Sequence, residues 1–132
     1  MNGIGHAVGS SRRRLGNRGE AAAALFYEGI GYEVLARQWR CREGEIDLVL
    51  AKPGLIVFCE VKTRASSDFG HPAESITRAK QQRIRRSAAR WLERETSARG
   101  HGRKARTLRF DAASVMVQAD GSLHVEVSEN AF

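Results

Sequence analysis

Residues 55–63, LIVFCEVKT, are apolar on both alternating sets of positions until the chain reaches Glu60 and Lys62. A strand of that pattern is stable only where both of its faces are covered, so it belongs in the middle of a sheet with other layers above and below. The run at residues 45–51, EIDLVLA, also mixes charge into apolar sequence, carrying Glu45 and Asp47. Side chains alternate across a strand, so Glu45 and Asp47 share one face, as do Glu60 and Lys62 on the neighbouring strand. Charges in such surroundings cost several kcal/mol each if left dry and unpaired. The chain must therefore cover a central strand on two sides and compensate a patch of ionisable groups within it.

The covering layers are readable. Residues 17–30, NRGEAAAALFYEGI, are alanine-rich and stop before Gly31, which predicts a first helix. Glu20 falls on one face with Ala23, Ala24 and Tyr27, which places a carboxylate at the edge of the core. Strands are expected at residues 32–39, 45–51 and 55–63, the last two joined tightly through Pro53 and Gly54. A second helix is expected from about Thr77, its N-cap, to Thr96, with Ile84, Ala88, Trp91 and Leu92 as the inward stripe. Arg78, Arg83, Arg85, Arg86 and Arg90 fill the rest of that helix, and Lys80, four residues before Ile84, falls at the inward edge. Two more strands near residues 107–117 and 123–127 turn at Asp120-Gly121. The order, helix, three strands, helix, two strands, implies an α/β fold with a mixed β-sheet flanked by helices. Residues 1–16, with Gly3, Gly5, Gly9 and the run Arg12 to Arg14, show neither periodicity and are expected as a flexible basic arm, leaving residues 17–132 as one domain.

The 22 Lys and Arg against 15 Asp and Glu give a net charge of +7, which favours a polyanionic partner. Nucleic acid fits better than a membrane surface, because the charge is mostly arginine and no strongly apolar face accompanies it. No run approaches the ~20 apolar residues of a membrane span, and no signal-peptide pattern opens the chain, so a cytoplasmic location without membrane attachment is expected. Two cysteines, Cys41 and Cys59, are too few for a disulfide scaffold or a four-ligand zinc site. The four histidines lack ligand spacing. Trp39 and Trp91 read as packing residues, and Cys59, opposite Glu60, as a small core residue.

The charged patch has the composition that phosphodiester hydrolysis needs. Carboxylates hold a hard cation, the cation acidifies water and polarises phosphate, and a lysine stabilises developing charge. Mg2+ or Mn2+ needs only one or two carboxylates, so Asp47 and Glu60 suffice as metal ligands, with Lys62 beside the attacking water. The plainer reading is that Glu60 and Lys62 are exposed, or pair with Asp47 and Arg64 in a structural network, because an E-x-K triplet alone is a weak signal.

The set Gly19-Glu20, Gly31-Tyr32, Gly44-Glu45-Ile46-Asp47-Leu48, Glu60-Val61-Lys62-Thr63-Arg64, Phe69-Gly70, Lys80, Arg109-Phe110-Asp111 and Glu129-Asn130-Ala131-Phe132 resembles the bacterial YraN family from about residue 16 onward. That family is described as predicted endonucleases distantly related to archaeal Holliday junction resolvases. The resemblance implies a restriction-endonuclease-like fold with a PD-(D/E)-x-K site, here with Ile46 where the motif has proline. It implies Asp47 and Glu60 as metal-binding acids, Lys62 as the catalytic lysine and Glu20 as a helix-borne catalytic acid; Glu45 is left without a role. Arg64 and residues 66–70 would border the substrate groove. With Arg78, Lys80, Arg83 and Arg86 on the basic helix, the expected partner is DNA, branched or otherwise structured, and a homodimer is left open. Asp111 is expected to be structural, capping a turn. Two other functions compete: a non-catalytic nucleic-acid-binding protein with a vestigial site, and a structural partner that docks through the basic helix or the C-terminal strand.

Overall fold

In the computed structural model, five strands form one sheet in the order β1-β2-β3-β4-β5. The structure describes residues 4–65, 76–99 and 106–132, with side chains from residue 13 and excepting 96–99. The elements run α1 (Ile4–Gly29), β1 (Glu33–Cys41), β2 (Gly44–Lys52), β3 (Leu55–Ala65), α2 (Arg78–Arg99), β4 (Thr107–Val117) and β5 (Leu123–Ser128). All neighbours are antiparallel except β3 and β4, whose parallel pairing extends from Leu55↔Thr107 to Ala65↔Val117. A parallel pair needs a crossover connection, and α2 lies within it. This is the expected mixed α/β sheet, and it is consistent with a restriction-endonuclease-like fold.

The apolar run of residues 55–59 explains the layering. Val57 and Cys59 pack with Ala23, Ala24 and Tyr27 of α1, while Ile56 and Phe58 pack with Ile84, Ala88 and Trp91 of α2. β3 is thus the central strand, buried from both sides. Its turn from β2 uses Pro53, whose ring fixes φ, and Gly54 at φ 75°, the pairing that a type II turn favours. Thr77 caps α2 as expected, its Oγ1 accepting the Lys80 N–H at 3.1 Å.

The first helix departs from the sequence expectation. It begins at Ile4 rather than Asn17, so most of the segment expected as a non-helical arm has helical backbone. The glycines that argued against a helix there are weak breakers, each costing only ~1 kcal/mol relative to alanine. The C-terminal residues fold back onto the sheet. Ala131 N–H donates to the Phe110 carbonyl at 2.7 Å, and the Phe132 ring packs 5.6 Å from that of Phe110.

Asp111 is structural, as expected, and reaches the distant turn at Asn130 after β5. It is fully buried and accepts four hydrogen bonds: from Tyr27 Oη at 2.7 Å, Arg109 Nε at 2.8 Å, Arg109 Nη2 at 2.9 Å and the Asn130 N–H at 3.0 Å. Arg109 Nη2 also donates to Tyr32 Oη at 2.9 Å. One carboxylate thereby joins α1, β4 and the chain end after β5. Local spacing misleads here because Tyr27 lies 84 residues away in sequence.

Candidate functional site

The β2–β3 ladder stops at Leu48↔Cys59. One step further the same register would set Asp47 against Glu60, and there the strands cease to pair conventionally. The Val61 N–H donates at 2.8 Å to Asp47 Oδ2 instead of to a backbone carbonyl. β2 also twists at this point, because Ile46 and Val49, three residues apart, both pack on the α2 side. The divergence opens a cleft of about 240 Å³ lined by Gly44, Glu45, Asp47, Glu60, Lys80, Arg83 and Ile84. Its acids come from the sheet and its bases from α2.

Asp47 is the most perturbed acid in the cleft. Burial, then the charge of Glu60, push its carboxyl up from an ordinary 3.8 to about 8, and the Val61 N–H only partly opposes this. Glu20 is also held above the usual carboxylate range, chiefly by burial and further by Glu45 and Glu60, with a hydrogen bond from Gln38 pulling the other way. Its Oε1 is buried without a hydrogen-bond partner. Glu60 has a cation of its own, for Lys80 Nζ lies 2.7 Å from its Oε2.

The residues singled out in the sequence are therefore only partly gathered. Asp47 and Glu60 meet in the cleft, joined by Glu45, which also lies 3.8 Å from Arg40. Glu20 is close enough to raise Asp47 but does not line the cleft. Lys62, two residues past Glu60 on the same side of β3, is exposed, and the cleft's lysine is Lys80. Of the basic residues, Arg83 lines the cleft, Arg78 and Arg86 are exposed on α2, and Arg64 is half-buried near the end of β3. Residues 66–70, His71 and His101 lie outside the described residues.

Two further residues shape the site without carrying charge. Gln38 adopts φ 49° inside β1, a left-handed conformation that costs a non-glycine residue on the order of 1–3 kcal/mol. Its Nε2 donates at 2.7 Å to Asn17 Oδ1, one turn before Glu20, and its side chain also hydrogen-bonds Glu20. Gly19 is the other. A Cβ there would run into Thr63 Oγ1, so α1 approaches β3 closely just where Glu20 emerges.

Whether a divalent cation fits can be judged from the donors. Among the described residues no three His, Cys, Asp or Glu side chains are placed to share one ion. A pair of carboxylates is nevertheless enough for Mg2+ or Mn2+, which keep several waters and complete their shell with substrate oxygens. Asp47, held by one hydrogen bond and disfavoured in its charged form, has the oxygen chemistry such an ion prefers. The pair fits.

A helix-flanked mixed sheet whose central strands part around two acids makes this an α/β protein with a charged cleft, consistent with a restriction-endonuclease-like fold. Residues 19–115 match the family described as Uncharacterised protein family UPF0102, and this chain belongs to that family, the YraN group that the sequence resembles. It is 43% identical over 120 residues to a UPF0102 protein of Parafrankia sp., covering 91% of this chain and 97% of the relative. A UPF0102 protein of Clavibacter michiganensis is 44% identical over 117 residues, or 89% and 94% of the two chains. One from Symbiobacterium thermophilum is 42% identical over 120 residues, or 91% and 97%.

Proposed function

We propose that this protein is a metal-dependent endonuclease that hydrolyses phosphodiester bonds in DNA, with branched or structured DNA as its substrate. The observation that carries the reading is the pairing of Asp47 with Glu60 where β2 and β3 part, opposite Lys80 and Arg83. Asp47 and Glu60 hold Mg2+ or Mn2+. When bound, the ion supplies acidified water and a polarised phosphate. The chain's own groups do the rest. Arg83, on the wall facing the acids, takes the phosphate oxygens, while Arg78, Arg86 and Arg64 bind neighbouring phosphates. Lys62, two residues past Glu60 on the same side of β3, orients the attacking water and stabilises developing charge. Glu20, whose Oε1 is buried without a partner and whose charge reaches Asp47, completes the acid set from α1. A net charge of +7 favours DNA binding that weakens steeply with salt.

One observation favours a second reading, a nucleic-acid-binding protein with a silent site: Glu60 already has a partner in Lys80. Calorimetric titration of metal-free protein with Mn2+ separates the two. Uptake that disappears in Asp47→Asn is expected. Absence of uptake with a retained, salt-sensitive gel shift on DNA overturns the enzyme reading in favour of the second.

A further inference from the structure

The Lys80–Glu60 ion pair lies in a place where a lysine is poorly suited to the helix that carries it. Lys80 is the third residue of α2 after the Thr77 cap, and that first turn contains no acidic side chain. The exposed N–H groups at a helix start make a cation there unfavourable unless a carboxylate answers it. The carboxylate comes from another element: Glu60 on β3, whose side chain is only 15% exposed, against 37% for Lys80. Glu60 in turn neighbours Asp47, Glu45 and Glu20, each of whose charges would repel its own. Among the described basic residues lining the cleft, Arg83 has no ion pair with an acid there, whereas the Lys80 ammonium reaches Glu60 Oε2.

We propose that Lys80 is a displaceable internal counter-ion: its ammonium holds Glu60 while the cleft is metal-free, and it yields the carboxylate when a divalent cation enters. This rests on the reading of Asp47 and Glu60 as metal ligands. A carboxylate oxygen bound to a hard divalent ion has little attraction left for an ammonium, and the two cations repel each other at this range. The displaced Lys80 stays on the cleft wall beside Arg83, where its charge meets the substrate phosphate. Lys80 is thus a positioning residue in the empty protein, holding Glu60 in a cleft that other acids also line, and a phosphate contact in the loaded one. A consequence is that metal and ammonium compete for Glu60, so metal-free protein binds its cofactor more weakly than the acids alone would allow.

The test is Mn2+ affinity by calorimetry for the full chain and for Lys80→Met, Lys80→Gln and Lys80→Arg, with folding checked by circular dichroism. Removing the competitor in Lys80→Met or Lys80→Gln is expected to tighten Mn2+ binding about tenfold, with Lys80→Arg near wild type. A purely structural ion pair would do the reverse, because its loss leaves the acids to splay; unchanged or weaker binding in both neutral variants overturns the proposal. Should neither neutral variant fold, the wild-type protein decides through the side-chain nitrogen resonance of Lys80 during Mg2+ titration. A shift that tracks saturation supports displacement, and an unmoved resonance at saturation overturns it. Absence of any Mn2+ uptake by wild type and variants alike overturns the metal reading itself, which distinguishes that failure from the failure of the Lys80 role.

Discussion

Asp47→Asn is expected to melt at a higher temperature than the wild-type protein in metal-free buffer, with a difference that grows from pH 4 to pH 8 and then levels. The folded carboxyl is pushed up to about 8, above its ordinary 3.8, first by burial and then by Glu60. The native state therefore binds that proton more tightly than the unfolded chain does. Stability is full below the unfolded value and is lost progressively as the pH rises toward the folded one. Asparagine removes this dependence while keeping an oxygen to accept the Val61 N–H. The gain at pH 8 is expected to be on the order of a few kcal/mol, or roughly 5–10 °C in a domain of this size. Thermal melts from pH 4 to 9 with a chelator present check this. A variant less stable than wild type across the range would mean that the ionised acid supports the fold, as a vestigial structural cluster requires. Stability gained where function is lost is the signature of a group kept for its chemistry.

Asp111→Asn is expected to behave in the opposite way, costing about 3 kcal/mol, because it removes the buried counter-charge of the Arg109 guanidinium and leaves it only the exposed Glu129 carboxylate at 3.6 Å. Arg109, Tyr27 and the Asn130 N–H all converge on this carboxylate, and no other buried acid among the described residues has so many donors. Against a typical total stability of about 5–15 kcal/mol, that loss would lower the denaturation midpoint substantially. The remaining folded protein should take up Mn2+ like wild type, since the network packs with α1 and the chain end rather than the cleft. A midpoint within the error of wild type would show that the network is dispensable. The two aspartates thus divide: Asp111, fully buried, is surrounded by donors, and Asp47, part-buried at the cleft, has one.

The division between legible and illegible features follows how far apart in sequence the causes lie. Strand positions, the inward stripe of α2, the Thr77 cap and the two-sided burial of β3 each depend on periodicity or on a residue beside the element it affects, and all were readable. The inward lean of Lys80 is readable from its spacing to Ile84, and the shared faces of Glu45 with Asp47 and Glu60 with Lys62 from alternation, while the meeting of Asp47 with Glu60 depends on a register that the sequence leaves open. The Asp111 network was not readable, because its partners are Tyr27, Arg109 and Asn130, brought together only by the finished sheet. Nor was the left-handed Gln38, since glutamine does not advertise such a backbone. Alternation placed Lys62 beside Glu60, but it could not show that Lys80 would line the cleft. The start of α1 is not legible, because its glycine-rich sequence carries no helix signal of its own and the helix propagates into it from a well-packed segment.

The most direct test of the central claim, that Asp47 and Glu60 are the metal-holding acids of a nuclease, is Mn2+-dependent cleavage of a labelled four-way junction. Linear duplex and single strand serve as comparisons, with wild type and Glu60→Ala run in parallel. The account predicts cleavage that requires the metal, favours the junction and falls at least ~1000-fold in Glu60→Ala. Equal cleavage by both proteins, or intact DNA with both at saturating Mn2+, would contradict it.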